Sequence, residues 1–255
     1  MTTLISPRTS STPEQYAGSF TWPAKVSLLG LQVTPTTYAE ASESVVSAAE
    51  CGAGGVVSCH AVHAIVTLSS TEEYRRKANT FKMITPDGQP VRWALNLLHG
   101  TQLKDRVYGP QLTLEICRKA AERGVSVYLY GGSPTVVETL ADNLRSQFPG
   151  LQIAGSESPP FRELSPEEDA EVVDRINDSG AGIVFIGLGC PKQDLFAFDH
   201  QDRLNAVQVC VGAAFDFHAG AKSVAPEWMQ RRGLEWLFRL WQEPRRLAGR
   251  YLHTN

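Results

Sequence analysis

No stretch of the 255-residue chain is long and apolar enough to form a bilayer-spanning helix. The five cysteines (Cys51, Cys59, Cys117, Cys190 and Cys210) are odd in number, scattered, and never spaced as CxxC. That argues against a disulfide framework or a zinc knuckle and favours a reducing cytosol. Cys190 reads as a small thiol at a strand end. GxGxxG and Walker spacings are both missing, which removes the usual signatures of dinucleotide and P-loop sites. There is no Ser-His-Asp order, no HExxH and no paired Cys/His ligand set. No DxD pair is present to hold a metal-bound sugar nucleotide, so a metal-independent reaction without cofactor is expected. Residues 1–24 are rich in Ser, Thr and Pro and lack an apolar signal-peptide core. They are expected to be a loose leader.

What is present is ordinary globular composition, 42% hydrophobic and 20% charged, enough for a large core. Charge is unevenly spread. Residues 228–252 hold six arginines against Glu235 and Glu243, a net +4, which leaves −7 for the rest of a chain whose total is −3. An acidic body with a basic tail points to an anionic partner for the tail. The acidic body and the lack of a DNA or RNA motif argue against nucleic acid.

Along the chain, short apolar runs alternate with helical stretches. Residues 25–33 ("KVSLLGLQV") and 63–70 ("HAIVTLSS") read as strands. Residues 36–52, 71–81 (with Thr71 at the start) and 90–100 (closed by Gly100) read as helices. Three later segments, 125–134, 181–193 and 207–216, each place a continuous apolar run before a glycine-containing turn. Helical stretches 135–148 and 194–204 follow the first two. Uninterrupted apolar runs suit strands covered on both faces, so the expected class is α/β, with a Rossmann-like, mostly parallel sheet and helices on both sides. The expected organisation is leader 1–24, core 25–224 and a C-terminal helical appendage 225–255.

In such sheets ligands bind outside the carboxyl ends of the strands. "GGSP" (Gly131, Gly132, Ser133, Pro134) offers glycine backbone and a helix N-terminus to a diphosphate, or else is only a turn and N-cap. "GLGCPKQD" places Gly189 and Pro191 before Lys192 and Gln193, an ammonium and a carboxamide suited to diphosphate and sugar hydroxyl. Asp87, in "ITPDGQPVRW", follows a short apolar run. It is either a turn former or an acid at a strand end. Asp216, beside His218, is the other carboxylate able to take a proton. His63 reads as structural.

The tail, "APEWMQRRGLEWLFRLWQEPRRLAGRYL" (225–252), interleaves Trp228, Trp236, Trp241 and Tyr251 with its arginines. Aromatic rings among arginines suit a membrane interface with anionic headgroups, although some rings must pack on the body.

Six blocks in order carry a family likeness: "TPDGQPVRWALNLLHG", "RVYGPQL", "LYGGSPTVVETLADNLRSQFPGLQIAG", "IGLGCPKQD", "VGAAFDFHAG" and the tail. Over roughly residues 25–252 the chain resembles the WecG/TagA/CpsF bacterial glycosyltransferases (glycosyltransferase family 26). The resemblance implies transfer of a sugar from a UDP-sugar to a polyprenyl-diphosphate-linked acceptor. The reaction would be inverting and metal-independent, at the cytoplasmic face of the membrane. Such steps build teichoic acid, common antigen, capsule or exopolysaccharide. The appendage would bind membrane and complete the site.

Carried over, the resemblance makes Asp87, with Gly88, the general-base block. It puts an early-strand Thr on Thr67, with Ser69 where Asn is common. Arg106, Gln193, and the appendage residues Arg239, Arg246 and Arg250 complete the set. "KQD" stands where "KQE" is usual, and Gln89 and Arg92 stand where the family is often apolar, which would tune the sugar or acceptor. A homo-oligomer is compatible with this reading. Its rivals are a nucleotide-sugar epimerase or dehydrogenase, disfavoured by the missing GxGxxG, and a non-catalytic nucleotide-binding scaffold docked to membrane.

Overall fold

A computed structural model of the chain describes residues 20–245 and 247–249. The chain opens with a hairpin, β1 (Val26–Leu28) and β2 (Leu31–Val33), then runs through α1 (Tyr38–Glu50), β3 (Gly55–His60), α2 (Val62–Ser69), α3 (Glu72–Asn79), β4 (Met83–Pro86) and α4 (Gln89–His99). It continues with α5 (Gly109–Arg123), β5 (Val127–Gly131), α6 (Pro134–Gln147), β6 (Ile153–Glu157), α7 (Pro166–Asp178), β7 (Ile183–Gly187) and α8 (Lys192–Asp199). β8 (Val207–Cys210), α9 (Ala214–His218), α10 (Glu227–Arg231) and α11 (Glu235–Gln242) complete it.

β3 to β8 form one sheet in the order β4-β3-β8-β7-β5-β6, every pairing parallel. Side chains alternate across it. Val57, Leu129, Phe185 and Val209 enter a core shared with α1, α5 and α6. Val56, Tyr128, Val184 and Ile186 enter a second core with α2, α3, α4, α7 and α8. Because both faces are covered, the strands need apolar residues at every position, the pattern the sequence displays. The α/β class and the parallel sheet are therefore as expected.

Two segments differ from expectation. Residues 25–33 are not one strand but the β1–β2 hairpin, outside the main sheet. Leu29 (φ +52°) and Gly30 (φ +82°) take the consecutive left-handed conformations of a tight two-residue turn. Residues 63–70 are not a strand either. They lie on α2, and the true edge-inward strand, β3, lies just before them. Ala64, Ile65 and Leu68 face inward at helical spacing, so burial of that stripe outweighs the β-branched bias of the run.

Residues 20–24, expected within the loose leader, include Phe20 and Trp22, which meet edge to face at 5.0 Å and pack on the first core. Residues 1–19 lie outside the described residues. Helices α5, α7 and α9 and strands β3 and β6 are additions to the sequence reading.

Candidate active site

The carboxyl ends of β3, β4, β5, β7 and β8 open into one cavity of about 1130 Å³, roofed by residues of α11. Typical small-molecule pockets occupy roughly 300–1,000 Å³, so this one has room for two substrates together.

Asp87 follows β4 directly. Its backbone N–H donates to Thr85 (2.9 Å) and His60 (3.1 Å) carbonyls, and Gly88 (φ +119°) turns the chain into α4. The side chain is thereby aimed across the sheet end, where Oδ2 accepts the Gly109 N–H at 3.0 Å. A Cβ on Gly109 would stand 3.4 Å from that oxygen and 3.2 Å from the Val211 carbonyl. Glycine at 109 thus lets the N-terminus of α5 approach the carboxylate. Burial pushes the Asp87 carboxyl above the ordinary carboxylate range, although Arg106, the Gly109 N–H and Arg239 each pull the other way.

Arg106 lies buried against the Tyr108 ring at 4.3 Å. Its Nη2 donates to Glu235 at 2.6 Å and to Gln230 at 3.1 Å. Both acceptors come from the C-terminal segment, so Arg106 ties that segment to the core. The loop carrying Arg106 is fixed from two sides. Tyr38 of α1 accepts the Tyr108 N–H at 3.0 Å, and Arg92 of α4 donates to the Leu103 (2.9 Å) and Lys104 (3.0 Å) carbonyls.

On the opposite wall Gln193, buried at the start of α8, gathers two glycine turns. Its Oε1 accepts from Gly189 (3.2 Å) and Gly212 (3.0 Å). Any contact it gives a ligand must come from its NH₂ group. Next to it, Asp194 Oδ1 accepts the Ser58 hydroxyl (2.7 Å) and contacts His60 Nε2 (2.9 Å), locking α8 onto β3 below the cavity floor. Cations on the wall are Lys192, Lys222, Arg106, Arg162 and Arg239, the last lying over Phe217 at 5.2 Å. Among the described residues, no group of three or more His, Cys, Asp or Glu converges as a metal site.

Of the residues singled out from sequence, Asp87, Gly88, Gln89, Arg106, Gly132, Ser133, Gly189, Lys192, Gln193, Asp216 and Arg239 all line this cavity. Others do not. Thr67 lies on α2, contacting His63 Nδ1 at 3.3 Å, and Ser69 donates back to Val66; neither is on a strand or reaches the cavity. The strand that borders the cavity there is β3, through Cys59. Gly131 (φ +137°) is required by strand packing, since its Cβ would meet Gly187 backbone at 2.7 Å. Pro191 is the N-cap of α8, and Arg92 is the loop tie already described.

Of "GGSP", Ser133 caps α6 by accepting the Val136 N–H, and Gly132 and Ser133 line the cavity. Asp216 forms an ion pair with Lys222 at 2.8 Å, and His218 contacts the Pro110 carbonyl. Arg246 and Arg250 lie outside the described residues. Sequence reasoning passed over Tyr38, Ser58, His60, Tyr108 and Glu235, and noted Asp194 only as the acid of "KQD". Of the rest, Glu235 carried a signal, as an acid inside an arginine-rich tail.

Compared with known protein families, residues 26–255 match the model of the glycosyl transferase WecG/TagA/CpsF family.

Proposed function

The chain belongs to the WecG/TagA/CpsF family of glycosyl transferases, and on that premise we propose that it moves a sugar from a UDP-sugar to a hydroxyl of a polyprenyl-diphosphate-linked sugar, with Asp87 as general base. The observation that carries this reading is the Asp87 carboxylate. It is oriented by the Gly109 N–H inside a large cavity that five cationic side chains share with three other carboxylates, Glu163, Asp216 and Glu235. Family membership supplies glycosyl transfer in surface polysaccharide synthesis, a nucleotide-sugar donor and a lipid-linked acceptor. The rest is our reading.

The step is a single displacement. The acceptor oxygen bonds to the anomeric carbon as the bond from that carbon to the UDP oxygen breaks, inverting the centre. The acceptor proton passes to Asp87. The charge growing on the leaving diphosphate is met by Lys192 and Arg239, with no metal required. Covering of the cavity by α11 keeps water from competing as acceptor.

The exposed rings of Trp228 (55%) and Trp241 (80%), in the arginine-rich C-terminal segment, support docking on an anionic cytoplasmic membrane surface. No helix of the described residues is long and apolar enough to cross a membrane.

The test is a UDP-release screen of UDP-sugars against short-chain polyprenyl-diphosphate-GlcNAc and polyprenyl-diphosphate-glucose. Acceptor-dependent UDP release is the expected result. Its absence with every donor would favour a nucleotide-binding scaffold instead.

A further inference from the structure

The pair formed by Arg106 and Glu235 sits in an unusual place for a structural ion pair. Their side chains are only 8% and 11% exposed, and the contact joins the core to a helix of the C-terminal segment. Burying two charges costs desolvation that their attraction only roughly offsets, so such a pair is poorly explained as a stabiliser. Its surroundings suggest another role. Glu235 and Arg239 stand one turn apart on α11 and both face the cavity, so docking of this helix delivers one negative and one positive charge to the site. Arg106 spends its Nη2 on Glu235 and Gln230. Among the described residues it forms no ion pair with Asp87, although its charge still acts on that carboxyl.

We propose that Glu235 is a positioning residue for Asp87: it holds the Arg106 guanidinium on the α11 side, so that docking of the C-terminal segment leaves the Asp87 carboxylate free to take the acceptor proton. Without the Glu235 carboxylate, Arg106 becomes the nearest uncommitted partner for Asp87, and the base is tied up as half of an ion pair. Proton transfer is then conditional on the docked segment, which couples the surface that meets the membrane to the chemistry. The proposal rests on Asp87 as general base.

The groups that face Asp87 are few. Arg106 and Tyr108 come from the loop before α5, the Gly109 N–H from α5 itself, Glu235 and Arg239 from α11, Tyr38 from α1 and Cys59 from β3. Burial pushes the two tyrosines and the thiol upward, so they stay neutral in the working range. His63, Lys192 and Asp216 line the same cavity. Glu235 raises the Asp87 carboxyl and Arg106 lowers it, which gives the test its sign.

The experiment uses the full chain with whichever UDP-sugar and acceptor the wild type turns over, measuring kcat and KM from pH 5 to 9. Glu235→Gln keeps shape and a hydrogen bond to Arg106 but removes the charge. The acid limb of kcat/KM is expected to move about one pH unit lower, with roughly tenfold lower plateau kcat, while donor KM stays within about threefold. An unmoved limb, or one displaced upward, would overturn the proposal. Should hydrogen exchange show residues 225–249 opening in that variant, Glu235→Asp decides. With the charge kept, a limb at the wild-type position supports the proposal, and a lowered limb sinks it. Failure of the base assignment looks different, because Asp87→Asn would then retain turnover.

Discussion

The Gly109 N–H donates to Asp87 Oδ2 over 3.0 Å, so the first turn of α5 holds the carboxylate that ends β4. A side-chain amide can accept the same bond through its oxygen. Asp87→Asn should therefore fold normally and bind UDP as the wild type does, measured by calorimetry. UDP release should fall by about 10²–10⁴-fold, the usual worth of a general base. Near-normal turnover would remove Asp87 from that role.

The same carboxyl predicts a stability effect. Its pKa in the folded state lies above the unfolded value because burial disfavours the charge. Between those two values the native state still holds a proton that the unfolded chain has lost. Native stability therefore falls as pH rises through the window and stays lowered above it. Asp87→Asn should melt at or above the wild-type temperature at pH 8. That advantage should vanish below about pH 4, the ordinary carboxylate range. A lower melting temperature at pH 8 would contradict the assignment.

Gly131 and Gly187 face each other where β5 and β7 end, and an added Cβ at 131 would sit 2.7 Å from Gly187 backbone. Gly131 also has φ +137°. Gly131→Ala is expected to cost at least about 1–3 kcal/mol from backbone strain, before the clash is counted, and to lower the urea midpoint. Equal stability of the variant would show that the rim can relax.

Trp241 is 80% exposed and Trp228 55%, so changing them removes little packing. Trp228→Ala with Trp241→Ala should leave the melting temperature within a degree or two and markedly reduce cosedimentation with anionic vesicles. Added salt should weaken wild-type binding as well, because the neighbouring arginines are screened. Unchanged vesicle binding would take the rings out of the membrane contact.

Asp194 is buried and holds both Ser58 and His60 through one oxygen. Asp194→Ala leaves two buried polar groups without that acceptor. About 3–5 kcal/mol of stability should be lost, read from chemical denaturation. A near-neutral result would mean that α8 is held to β3 by packing alone.

Local chemistry alone was enough to read the parallel sheet, most helices and the glycine turns. Runs buried on both faces leave an uninterrupted apolar signature, and Thr71, Ser133 and Gly100 mark helix ends through their own caps. Asp87 was legible as a candidate because a carboxylate after a short apolar run falls at a strand end. What failed was the placement of residues 25–33 and 63–70, while α5, α7 and β6 went unread. The β-branched run at 63–70 resembles a strand until Ala64, Ile65 and Leu68 are seen sharing one buried face, and Thr67 was misplaced with it.

The tertiary structure decided which groups share the cavity. Glu235 is 129 residues from Arg106, and Asp194 is 136 from Ser58, and no local propensity encodes such partners. It also separated glycines needed for packing, such as Gly131, from those facing the cavity, such as Gly132. Turn chemistry depends on a residue and its neighbours, whereas the charge balance around a carboxylate depends on everything the fold brings within a few ångströms of it. Sequence placed Asp87 at the rim, and the meeting of α5, α11 and Arg106 around it gives that carboxylate its environment.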